Sequence, residues 1–296
     1  MTIRKAARSQ RKLKLAVGGV SGSGKTLGAL KLAYGICGDY SKICVIDTEQ
    51  NSADLYADLG EFSVLPLSNY SPAAYIAAID EVIKSGFEVM IIDSITHEWN
   101  GPGGVLDIVD KSEGQRGGKF ASGWRTATPL HDKFVSAVTS APVHVIATMR
   151  KKDEYAINTV NGKSVPQKVG LKNIQRDGTD YEFDLVFDVH INHYCSVSKD
   201  RTRIFDSAEP FQLDEAAGKK LLAWATSGAP VKPAEVKFDI KSDQMKDRLM
   251  AAFKDAGIAD KHWKEIAESL DGVVILRDGA RTKEFTDKLA EYCDNT

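Results

Sequence analysis

Eight residues, Gly19-Val20-Ser21-Gly22-Ser23-Gly24-Lys25-Thr26, fit the pattern G-x-x-x-x-G-K-[ST] at every fixed position. They follow Leu13-Lys14-Leu15-Ala16-Val17, which alternates like a strand entering a sheet, and precede Leu27-Gly28-Ala29-Leu30-Lys31-Leu32-Ala33, which reads as a helix. Strand, glycine loop and helix in that order are what wraps a phosphate. Gly19, Gly22 and Gly24 let the backbone turn its N–H groups inward, and the helix adds the positive end of its dipole. Lys25 is placed to reach the β- and γ-phosphates and Thr26 to ligate Mg²⁺, so the whole stretch from Gly19 to Thr26 predicts ATP and Mg²⁺ as ligands.

Such a loop belongs to an α/β fold, and the rest of the chain supplies one. Ile43-Cys44-Val45-Ile46 reads as a strand, followed by a helical stretch near Ala53 to Leu59, an extended Phe62 to Leu67 and a helix from Pro72 to Lys84. Val89-Met90-Ile91-Ile92 is apolar throughout, as in a strand buried on both faces, and ends on Asp93-Ser94. A helix from Pro129 to Thr139 precedes a strand at Val143 to Ala147. Strand-rich composition returns from Phe183 to Phe205, and a helix from Glu215 to Trp224 closes the pattern. The alternation predicts a mainly parallel sheet flanked by helices. Between Trp99 and Trp124 lies a glycine-rich connection, expected to be a long functional or mobile loop. Ser227 to Pro233 reads as a linker. Beyond it Met245, Leu249 and Phe253, then Phe285, Leu289 and Tyr292, recur at helical spacing and predict a small helical C-terminal domain. The expected division is a basic arm over 1–12, a nucleotide-binding domain over 13–228, and a linker with the helical domain over 229–296.

A chain of 296 residues with 43% hydrophobic residues can bury one sizeable core and a smaller appendage. Its net charge of -2 hides an asymmetry: no acidic residue precedes Asp39, while Arg4, Lys5, Arg8, Arg11, Lys12 and Lys14 crowd the start. A nucleic-acid contact and a solvated terminus are both open readings of that arm. Cys37, Cys44, Cys195 and Cys293 form no C-x-x-C pair, and no apolar segment follows the basic start, which points to the cytoplasm and away from a disulfide framework. No apolar run approaches the roughly 20 residues of a membrane helix, so no membrane partner is expected. Asp188, His190, His193 and Cys195 are close in sequence, but period-two alternation divides them between opposite faces of a strand, and Mg²⁺ is the one metal expected.

The acidic residues near the loop narrow the chemistry. Asp93, at the end of an apolar strand, is placed to hold Mg²⁺ through water. Glu49 closes Ile46-Asp47-Thr48-Glu49, at the end of the strand after the loop's helix. With these two features the sequence resembles the RecA/RadA branch of P-loop ATPases, which has a glutamate base at that strand end and an Asp-Ser at the end of the Walker B strand. The resemblance implies a RecA-like P-loop NTPase core in which Glu49 polarises the attacking water. It also implies that Lys199 and Arg201, in Val197-Ser198-Lys199-Asp200-Arg201, act as cationic fingers on a neighbour's nucleotide, hence a homo-oligomer, ring or filament, with shared ATP sites. The strand ending Ala147-Thr148-Met149 lacks the glutamine that RecA-type enzymes place there, with Thr148 in its stead. More narrowly, TMRKK at 148–152, Asn161-Gly162, QRDGTDYEFD at 175–184 and SKDRT at 198–202 resemble bacteriophage RecA-core ATPases of single-strand-annealing recombination. That resemblance covers about residues 12–226 and implies a site of action in the host cytoplasm, with a single-strand-binding protein as a possible partner.

From Arg150 to Arg176 the basic residues Arg150, Lys151, Lys152, Lys163, Lys168, Lys172 and Arg176 outnumber the acids Asp153 and Glu154, and Asn161-Gly162 suits a hairpin turn. The ribbon is the expected contact for single-stranded DNA, with Tyr155 stacking on a base. Two other readings remain open at this point, an ATP-driven DNA motor or helicase-like ring and a KaiC-like assembly protein regulated by ATP without DNA.

Overall fold

The computed structural model describes residues 5–115, 120–160, 163–229, 235–239 and 273–277. The chain divides into two compact units, Met1–Ala229 and Pro230–Thr296. The first opens with β1 (Lys14–Gly19), α1 (Lys25–Cys37) and β2 (Ile43–Asp47), followed by a 3₁₀ segment at Ser52–Leu59 and β3 (Ser63–Pro66). Next come α2 (Pro72–Lys84), β4 (Val89–Asp93), α3 (Thr96–Asn100), α4 (Val105–Gln115) and α5 (Phe120–Ser140). β5 (His144–Val160), β6 (Lys163–Asn173), β7 (Leu185–Val189), β8 (Cys195–Asp200) and α6 (Glu215–Thr226) complete it.

The sheet runs in the order β3-β2-β4-β5-β1-β7-β8, with β6 pairing β5 outside that path. All neighbours along it are parallel except β8, which returns antiparallel to β7 as an edge strand. This is the predicted α/β fold. The loop strand β1 and the Asp93 strand β4 do not touch, because β5 lies between them, an order that brings Thr148 beside both. Alternation along each strand divides the core in two. Leu15, Val17, Val45 and Ile91 face α1 and α6, whereas Ala16, Ile46, Met90 and Ile92 face α2 and α5. Local sequence explains the helix limits: Ser71 caps α2 by accepting from the Ala74 N–H, and Pro72 opens its first turn. α1 and α6 cross closely because glycine lies where they meet. A Cβ at Gly35 would stand 2.2 Å from the Glu215 carbonyl oxygen, and one at Gly218 2.4 Å from that of Leu32.

The expected loop between Trp99 and Trp124 is instead helical over most of its length, in α3, α4 and the start of α5. Its glycines serve packing as well as turning. Gly101 and Gly104 turn the chain from α3 to α4, while Gly123 lies inside α5, where a Cβ would come within 2.7 Å of the Val109 carbonyl oxygen. Val105, Val109 and Ala127 are buried between the helices, and the Trp99 and Trp124 rings lie 5.8 Å apart. β5 also outruns its expected end, spanning 17 residues in all and entering a hairpin with β6. The Asn161-Gly162 turn lies outside the described residues.

Much of the basic arm is bound to the domain. The Arg8 guanidinium lies 4.3 Å over the Trp224 ring and donates to the Trp224 carbonyl. Arg11 pairs with the buried Asp184 at 2.7 Å, and Lys14 Nζ donates to the carbonyls of Ala141 and Val143. In the second unit the described strands β9 (Glu235–Asp239) and β10 (Val273–Arg277) pair antiparallel. Met245, Leu249, Phe253, Phe285, Leu289 and Tyr292 lie outside the described residues. Among the described residues, no helix is long and apolar enough to cross a membrane.

Candidate functional site

Three strand ends meet a point within β5 at the carboxyl edge of the sheet, Gly19 of β1 opposite Arg150 of β5 and Asp47 of β2 opposite Asp93 of β4. Ligands of open α/β sheets gather at this edge. The glycine loop crosses it with Gly22 and Gly24 at φ of 75° and 91°, in the left-handed region that glycine tolerates. Lys25 Nζ donates to the Val20 carbonyl at 3.0 Å. Burial lowers its pKa, opposed by the charges of Asp93 and Glu49. Ser23 Oγ is buried and has no hydrogen-bond partner among the described residues.

Asp93 accepts from two threonines, Thr26 Oγ1 at 2.6 Å on Oδ2 and Thr148 Oγ1 at 2.5 Å on Oδ1. Burial pushes the carboxyl up, and these two hydrogen bonds pull against it. Both oxygens therefore meet hydroxyls, and the Lys25 charge acts on the same carboxyl.

Glu49 is aimed by its neighbour Asp47, which is buried and accepts from the backbone N–H of Glu49 at 2.6 Å and of Ala53 at 3.0 Å. That pair of bonds fixes the turn leaving β2. The Glu49 carboxylate is held in a two-pronged pair by Arg150, Nε to Oε1 at 2.8 Å and Nη2 to Oε2 at 2.7 Å. Burial pushes Glu49 up, but the hydrogen bonds and charge of Arg150 prevail, and its pKa lies below the ordinary value. Lys25, Thr26, Glu49, Tyr56, Arg150 and His193 line one cleft of about 460 Å³.

Arg150, expected on the DNA ribbon, thus sits in this cleft. Several other ribbon cations are also paired: Lys151 with Asp188 and Lys172 with Asp177, each at 2.7 Å, and Arg176 with Asp132 at 3.1 Å. Lys152 is exposed, while the side chains of Tyr155, Lys163 and Lys168 lie outside the described residues. On the edge strand β8, Lys199 donates to the Asp180 carbonyl at 3.2 Å and to that of Tyr181, and Arg201, just past the end of β8, donates to the Tyr181 carbonyl at 3.0 Å. Neither lines the cleft of its own chain. The four residues set aside as a metal group go separate ways. Asp188 pairs with Lys151, His190 with the Ser196 hydroxyl at 2.9 Å, His193 lies 3.1 Å from the Ser23 carbonyl, and Cys195 is in the core. Sequence reasoning left His193 and Arg150 out of the cleft. Only the strand register, which sets Arg150 beside the distant Gly19, places the latter there.

The sequence model of an AAA domain family, AAA_24, matches residues 11–212. The chain belongs to this AAA domain family. Membership identifies a P-loop ATPase type of domain and implies nucleotide binding, typically with Mg²⁺. No curated protein matches the sequence. Among solved structures, a KaiC-like protein of the hyperthermophilic archaeon Pyrococcus horikoshii is similar at 15% identity, over 66% of this chain and 90% of that one, with a TM-score of 0.37. The AAA domain cleft fits the ligands that the family implies. Ser23 offers an unpartnered buried hydroxyl beside the glycine loop, whose backbone turns at Gly22 and Gly24. Thr26 and Asp93 present a hydroxyl and a carboxylate, the hard oxygen donors that suit Mg²⁺.

Proposed function

We propose that this protein hydrolyses ATP with Mg²⁺ as an oligomer with shared sites, and that it binds single-stranded DNA in recombination or strand annealing. The observation that carries the ATPase reading is the meeting of Lys25, Thr26, Asp93 and Glu49 at one sheet edge, with Thr26 and Thr148 both on Asp93. In this reading the loop N–H groups and Lys25 hold the phosphates, and Thr26 and Asp93 hold the metal. Bound Mg²⁺ would neutralise charge on the phosphate oxygens. Glu49 accepts the proton of a water whose oxygen attacks the γ-phosphorus, and the bond to the ADP oxygen breaks. Two observations support a shared site: Lys199 lies on an edge strand with Arg201 just past its end, and both lie outside their own chain's cleft. The DNA reading is supported by the hairpin that β5 and β6 extend from the parallel sheet and by the basic residues along it. The recombination reading is supported by the motif resemblance over 148–202.

The test is ATP turnover with and without single-stranded DNA, for the unaltered protein, Lys25→Ala, Glu49→Gln and the triple change of Lys163, Lys168 and Lys172 to Glu. Lys25→Ala should lose ATP binding and turnover together, whereas Glu49→Gln should keep ATP bound and lose about 10²-fold or more in rate, as for a general base removed. Parental turnover in Glu49→Gln would refute Glu49 as base. The triple change should weaken DNA binding at every sequence and flatten its salt dependence, by about 0.7 in log-log slope for each phosphate no longer neutralised. DNA that neither binds at low salt with ATP present nor alters turnover would refute the DNA reading.

A further inference from the structure

We infer that Arg150 is a nucleotide-operated gate on Glu49: without a triphosphate it clamps the carboxylate, and an arriving γ-phosphate takes over the guanidinium and frees Glu49 for water. The inference rests on the ATPase reading above and adds its regulation. Both Glu49 oxygens accept from the Arg150 fork, at 2.8 and 2.7 Å, so the proposed base is neutralised by an ion pair in the structure at hand. The pair nevertheless stands in the cleft of Lys25 and Thr26, with the Arg150 side chain still 42% exposed. A planar guanidinium binds phosphate oxygens with the same two-pronged geometry that it offers a carboxylate. A terminal phosphate carries more charge than Glu49, so the exchange favours the phosphate, and ADP, lacking that group, leaves the clamp closed.

The backbone confines this exchange to the side chain. The Arg150 N–H donates to Thr96 Oγ1 at 2.9 Å, and its carbonyl accepts from the Ile174 N–H at 2.8 Å, so it is held from both sides. Arg150 is also the last residue of β5 in register with β1, and Lys151 is the first paired with β6. The gate therefore sits where the central sheet becomes the hairpin.

The gate predicts a pattern of affinities that a purely structural arginine does not. Binding of ADP and of the slowly hydrolysed analogue ATPγS is measured for the unaltered protein, Arg150→Ala, Glu49→Gln and the double variant, with thermal melting as a check on folding. Arg150→Ala should weaken ATPγS by about 10-fold, the low end of the effect of losing a charge-assisted hydrogen bond because the free protein loses its Glu49 pair as well, and leave ADP unchanged. Glu49→Gln should tighten ATPγS in the unaltered background by removing the competitor, and have no such effect once Arg150 is gone. Equal weakening of ADP and ATPγS in Arg150→Ala, or tightening by Glu49→Gln that persists without Arg150, would overturn the gate while leaving the ATPase reading intact. An unaltered protein that binds neither nucleotide would overturn both.

Discussion

Replacing Thr148 by Val removes one hydroxyl and little volume, at a point where the structure fixes the consequence. Thr148 is fully buried, and its Oγ1 donates to Asp93 Oδ1 at 2.5 Å. Valine fills the same space without donating, leaving one oxygen of a carboxylate that is itself almost sealed from water. A hydrogen bond to a charged group contributes about 1.5–3 kcal/mol, so urea denaturation should show a loss of about 2 kcal/mol as a lower midpoint at unchanged slope. A second effect follows from the direction of the Asp93 pKa. Burial raises it and the Thr148 bond opposes that rise, so the valine variant raises it further. Metal binding requires the ionised carboxylate, and the Mg²⁺ concentration for half-maximal ATP binding should therefore increase, most of all at mildly acidic pH. Thr148→Ser, which keeps the hydroxyl, should recover the Mg²⁺ dependence. An unchanged denaturation midpoint together with an unchanged Mg²⁺ titration would refute the claim that Thr148 supports Asp93.

If Lys199 and Arg201 serve a neighbouring chain, mixing inactive Lys25→Ala with inactive Arg201→Ala should restore part of the ATP turnover, because some interfaces then unite an intact loop with an intact finger. No recovery in assemblies shown to be mixed would count against shared sites. His144 predicts acid sensitivity: burial, with the charges of Lys12 and Lys14, lowers its pKa from 6.5 to about 3, and its Nδ1 accepts from the Leu13 N–H at 3.1 Å. Between those values the unfolded chain binds more protons than the folded one, so stability should rise with pH, and be lost on acidification from pH 6.5 towards 3, by up to about 1.4 kcal/mol per unit. His144→Asn, which keeps an acceptor but does not titrate, should flatten that slope across pH 4–6, and an unaltered slope would exclude His144 as its source.

The features legible in the sequence are those written in consecutive residues. The glycine loop and its flanks, the apolar strand ending at Asp93, and α2 with Ser71 and Pro72 at its start each depend on local chemistry that ten or so residues contain. What escaped depends on distant parts of the chain. Arg150 read as one more cation in a basic run, because nothing near it reveals that β5 lies against β1 and points the guanidinium at Glu49. The glycines between Trp99 and Trp124 read as loop residues because composition does not distinguish a glycine that turns the chain from one that lets two helices touch. Gly123 is of the second kind. Lys151, Lys172 and Arg176 read as cations offered to a DNA strand, since a basic run does not reveal that Asp188, Asp177 and Asp132 pair with them.

The start and finish of the first unit lie side by side. Ser9 bridges Ala229, with the Gln10 N–H donating to the Ala229 carbonyl at 2.8 Å and the Ala229 N–H to that of Arg8 at 2.9 Å. The chain thus enters and leaves its sheet through one doorway, and between those points it closes on itself like a ring. A body of that kind suits rearrangement of its gene. Its ends can be joined and new ones opened in an exposed turn, or the segment after Ala229 exchanged for another, while the strand order that assembles the cleft stays the same.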